Sequence, residues 1–108
     1  GGGTKDLPLL PWTEVQRAHA EGAARLAALL APRLEASTGA PSTTSRAPIR
    51  VLAGIDMPAV LIELGYLTSP EFAGEVVTEP FQTRVAQSIA DAVADFVAGV
   101  EPEIDTPR

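Results

Sequence analysis

Apolar residues between positions 12 and 34 recur with helical rather than strand spacing. Trp12, Val15, Ala18, Ala23, Leu26, Leu29, Leu30 and Leu34 fall close to a 3.6-residue period. Pro11 suits a first helical turn, and Thr13 with Gln16 has capping-box spacing. The pattern predicts a helix over 11–36, weakened at Gly22 and kinked or ended near Pro32. Residues 37–48 are small, polar and interrupted by Pro41 and Pro48, which predicts a surface loop. Two short apolar runs follow, Ile49–Ala53 and Ala59–Leu64, around a turn that contains Gly54 and Pro58. The second run is almost continuously apolar, as in a strand covered on both faces. The link between the runs is too short for a helical crossover, so as neighbouring strands they would be antiparallel.

Ser69, Pro70 and Glu71 place a cap, a proline and an acid in the order of a helix start, predicting a short helix over 70–76. Thr78, Glu79 and Pro80 open a second helix. Its apolar stripe runs through Phe81, Val85, Ile89, Ala92, Val93, Phe96, Val97 and Val100, and Gly99 marks its end. Residues 1–10 read as an irregular lead-in and 101–108 as a flexible tail. The expected fold class is α/β, in the order long helix, two strands, short helix, long helix. Two strands are a small platform for two amphipathic helices, so further strands are expected elsewhere.

Composition narrows the function. The net charge of −6 and the scattered arginines argue against a nucleic-acid partner. The absence of cysteine removes disulfides, thiolate metal sites and cysteine nucleophiles together. No apolar run is long enough to span a membrane. A chain that opens on three glycines without Met reads as a cut from something longer, and its first residues lack the basic-then-apolar layout expected of a secretion signal.

Among the candidate residues, Glu63 is the anomaly, a carboxylate inside an apolar run. Alternation alone leaves two readings open: an outward residue on a solvated face, or a general acid/base at a strand end followed by Gly65. His19 is the single histidine and flanks the apolar stripe of the first helix, so a structural or surface role is expected. One histidine cannot build a zinc site. Tyr66 reads as half-buried with its hydroxyl at a rim, a weak candidate for substrate binding. Ser69 is expected to cap a helix, and Asp56 to serve its own turn. Arg17, Arg25 and Arg33 share a helix side with Glu14 and Glu21, which reads as a solvated face.

The run Val51-Leu-Ala-Gly-Ile-Asp-Met-Pro-Ala-Val-Leu-Ile-Glu-Leu-Gly-Tyr-Leu-Thr-Ser-Pro-Glu71 resembles the C-terminal part of the zinc-dependent N-acetylmuramoyl-L-alanine amidases of the type-3 family. The helix around Arg25-Leu-Ala-Ala-Leu-Leu30 and the closing helix around Val85-Ala-Gln-Ser-Ile-Ala-Asp-Ala-Val93 are similar too, so the resemblance covers about residues 11–98. It implies that residues 11–100 are the C-terminal half of a three-layer α/β/α catalytic domain. It further implies hydrolysis of the amide between N-acetylmuramic acid and the L-alanine of the stem peptide, with zinc held by His, Glu and His. Glu63 matches the strand glutamate that works on the zinc-bound water. The sequence departs from the family's usual pattern at Tyr66, where Phe is common, and at Thr68-Ser69, where Ser-Asn is common.

Nothing in the chain matches the three metal ligands, which precede the first helix in the family. No metal role passes to His19, and this fragment alone is expected to be inactive. The implied partners are peptidoglycan and the missing N-terminal half of the domain, and the implied location is extracellular, periplasmic or in the cell wall. The alternative is a non-catalytic half-domain that acts as an interaction module. What lies upstream of Gly1 separates the two readings.

Overall fold

A computed structural model describes residues 12–45 and 54–103. Helix α1 spans Trp12–Thr38, α2 spans Pro70–Val76 and α3 spans Glu79–Val97. The first two expected helices thus match to within two residues, and the third ends two residues short of Gly99.

Pro32 lies inside α1 without ending it. A proline removes the hydrogen bond to the carbonyl four residues earlier. That carbonyl belongs to Ala28, an exposed position open to water. The helix closes at Gly39, whose φ of 74° is left-handed and whose N–H donates to Glu35 O at 2.9 Å. Thr38 Oγ1 donates to Leu34 O at 2.7 Å.

Ser69 caps α2 as expected, accepting from Phe72 N. Thr78, expected only to open α3, also finishes α2: its hydroxyl donates to Glu75 O at 2.7 Å. At the far end of α3, Val100 N donates to Asp95 O and Gly99 N to Phe96 O around a left-handed Gly99.

The α/β expectation is corrected: among the described residues the fold is all helical, with no strand and no sheet. The expected strand over 49–53 lies outside the described residues. Residues 59–64 form neither helix nor ladder. A strand exists only through a partner that completes its hydrogen bonds, and no described segment serves as one. The segment lies on the helices instead, with Val60 and Ile62 against the core. The core is an α1–α3 seam of Leu29, Leu30, Leu34, Phe81, Val85 and Ala92. Phe72 and Val76 of α2 pack on its edge, Phe72 meeting Phe81 edge-on at 6.1 Å between ring centroids.

Polar contacts set the pairing of the two long helices. Arg33 reaches Asp95 at 2.6 Å and Asp91 at 3.5 Å, and Ser88 Oγ donates to Arg33 O. Arg84 donates to Ser37 O, while Arg25 donates to Phe96 O and Val100 O. Rising numbers on α1 meet falling numbers on α3, so the helices run antiparallel. The reading of Arg25 and Arg33 as solvated is corrected here: both reach across to α3. The last turn of α3 has no basic residue of its own. Arg25 supplies the positive charge favoured at a helix C-terminus and lies 4.1 Å over the Phe96 ring.

Candidate active site

Residues from Gly54 to Tyr66 have no helix of their own, so side-chain contacts determine where Glu63 sits. Burial alternates from Val60 to Glu63: Val60 and Ile62 are half-buried, whereas Leu61 and Glu63 are exposed. This is the two-residue period of an extended backbone. It turns Glu63 away from the helices. The expectation of a run covered on both faces does not hold among the described residues.

Two glycines hold the segment at its ends. A Cβ on Gly22 of α1 would lie 2.7 Å from Pro58 Cγ. A Cβ on Gly65 would lie 3.0 Å from Phe72 Cδ1. Gly22, which costs helix stability, is therefore the notch that seats Pro58. Gly22→Ala is expected to destabilise the protein by up to about 2 kcal/mol: overpacking costs about 1–3 kcal/mol and the helix preference for Ala recovers about 1. Pro58→Ala in the same chain should recover part of the loss, because the clashing Cγ is gone. Thermal melts of the two single variants and the double variant check this; strictly additive losses would show that the contact does not limit packing.

Glu63, Leu64, Gly65 and Tyr66 line an open concavity of about 390 Å³. Tyr66 is 78% exposed, not half-buried as its pattern suggested. The carboxylate and the phenol thus share one surface feature, three positions apart. Glu63 has open access to solvent and to any molecule that enters the concavity.

His19 and Asp56 are brought together, which sequence reasoning missed. His19 Nε2 lies 2.9 Å from Asp56 Oδ1. A carboxylate only accepts, so the ring N–H donates. Asp56 had been expected to serve its own turn. The two residues are 37 positions apart, and no local pattern links them. Among the described residues, no group of three or more His, Cys, Asp or Glu side chains is placed to hold a metal ion. These residues do not fit a zinc ion.

Among the described residues no helix is long and apolar enough to cross a membrane. No curated protein and no solved structure gives a match. A family model described as N-acetylmuramoyl-L-alanine amidase matches residues 11–95, which takes in α1, α2, the Glu63 segment and nearly all of α3. That match covers well over half of the sequence, and the chain belongs to the N-acetylmuramoyl-L-alanine amidase family.

Proposed function

We propose that this chain is part of a peptidoglycan hydrolase that cleaves the amide between N-acetylmuramic acid and L-alanine, with Glu63 as its proton-transfer carboxylate. One observation carries the role of Glu63: it is the single carboxylate of the segment 57–66, and it faces out into a concavity while its neighbours Val60 and Ile62 anchor the backbone. Hydrolysis of an amide needs a base to take a proton from water and an acid to return one to the leaving nitrogen. One carboxylate can do both in turn, provided it is open to the substrate and rigidly carried. Pro58 in its notch and Gly65 against Phe72 supply that rigidity on either side. Tyr66, beside it, offers an aromatic face and a hydroxyl to the bound muropeptide.

Zinc is general in this family, and the described residues do not fit it. The chain has a single histidine, so the family's His, Glu and His ligands are then supplied from outside it, and the 108-residue chain by itself is expected to hydrolyse nothing. A substrate in the cell wall places the enzyme's action outside the cytoplasmic membrane. The test is Glu63→Gln in the complete native protein, assayed on purified muropeptide for release of the stem peptide. Wild-type turnover in that variant would remove Glu63 from the chemistry and favour a binding role for this half of the domain.

A further inference from the structure

Hydrophobicity does not decide which face of the 57–64 segment lies on the helices. Pro58, Val60 and Ile62 lie inward and Met57, Leu61 and Glu63 outward, while Ala59 is half-buried and Leu64 exposed. Two of these three outward residues are apolar, with Met57 and Leu61 well exposed. A slip of one residue exchanges the two sets and turns Glu63 towards the helices. Apolar packing is non-directional, so it resists this slip weakly.

Among the described residues, one hydrogen bond joins α1 to this segment, the 2.9 Å contact between His19 Nε2 and Asp56 Oδ1. It stands next to the Gly22–Pro58 contact. His19 and Gly22 are three apart on a helix and so share a face, while Asp56 and Pro58 are two apart and so share a side of an extended segment. The two contacts therefore match one register and no register shifted by a single residue. We propose that His19 and Asp56 are positioning residues: their hydrogen bond selects the register that keeps Glu63 outward. The proposal rests on the role assigned to Glu63 above.

The test uses the complete native protein. His19→Ala is expected to lower kcat on muropeptide about tenfold with little change in KM, because a misplaced catalytic group weakens the transition state more than binding. The melting temperature should move little, since an exposed pair contributes little to stability. His19→Gln, whose amide nitrogen can donate to the same Asp56 oxygen, should recover most of the rate. Asp56→Ala should match His19→Ala, and the double variant should be no worse than either. Wild-type kcat in His19→Ala, or losses that multiply in the double variant, would overturn the proposal. Should Glu63→Gln keep full turnover, the fault lies in the role of Glu63, and register is then read directly. Leu61 and Ile62 methyl resonances that are identical in wild type and His19→Ala would show that the pair sets no register, and altered ones would show that it does.

Discussion

Glu63→Gln is expected to reduce muropeptide hydrolysis by roughly 10²–10⁴-fold, the usual contribution of a positioned general acid/base. This corresponds to about 2.7–5.4 kcal/mol of transition-state stabilisation. The amide has nearly the shape of the carboxylate, so the loss can be assigned to proton transfer. Glu63 is exposed, and no hydrogen bond or ion pair with another described residue engages it. The substitution should therefore leave the melting temperature within a degree or two of wild type. Glu63→Asp should fall between the two, since it keeps the charge and withdraws it by one methylene. A variant that loses activity and stability together would indicate a structural glutamate. Loss of activity alone is the outcome that fits a proton carrier.

The largest expected effect on stability belongs to Phe81. Its side chain is only 2% exposed and lies in the core seam of α1 and α3, with the Phe72 ring edge-on to it. Replacing a buried phenylalanine by alanine costs about 3–5 kcal/mol, from lost transfer energy and from the cavity left behind. Domains are held by about 5–15 kcal/mol, and small ones sit near the lower end. Phe81→Ala should therefore lower the melting temperature by on the order of 15–30 °C, or abolish a cooperative transition. Phe81→Leu keeps most of the volume and should cost less than half as much. Ellipticity at 222 nm against temperature measures both. A shift of only a few degrees for Phe81→Ala would mean that the core is not centred on this ring.

The helices were legible because their signals are local. Ser69-Pro70-Glu71 and Thr78-Glu79-Pro80 announce starts, Gly99 supplies a stop, and Phe81, Val85 and Ala92 mark the side of α3 that is buried. Ile89 and Phe96 of that stripe pack against the core, but its remaining members were over-read. Val93, Val97 and Val100 remain exposed, because one partner helix covers a narrower arc than the sequence offers. The run Ala59–Leu64 has strand composition, but composition cannot provide the partner that makes a strand. Arg25 and Arg33 look solvated from charge pattern alone. Their length lets them reach a second helix, and only the i, i+4 aspartates at 91 and 95 hinted at what Arg33 would meet. At the candidate site, the outward position of Glu63 was one of the two readings that alternation left open. The His19–Asp56 and Gly22–Pro58 contacts were not legible, since each depends on where a loop crosses a helix.

Helix α2 has no fully buried residue and holds to the core through Phe72 and Val76 alone. Such an element opens at a lower free energy than the seam of α1 and α3. Phe72 is also the surface against which Gly65 rests, two residues beyond Glu63. Heating should therefore release the candidate site before it melts the molecule. Inactivation and loss of helical signal should then be separate events along the temperature axis, the first governed by the seven residues of α2 and the second by the core.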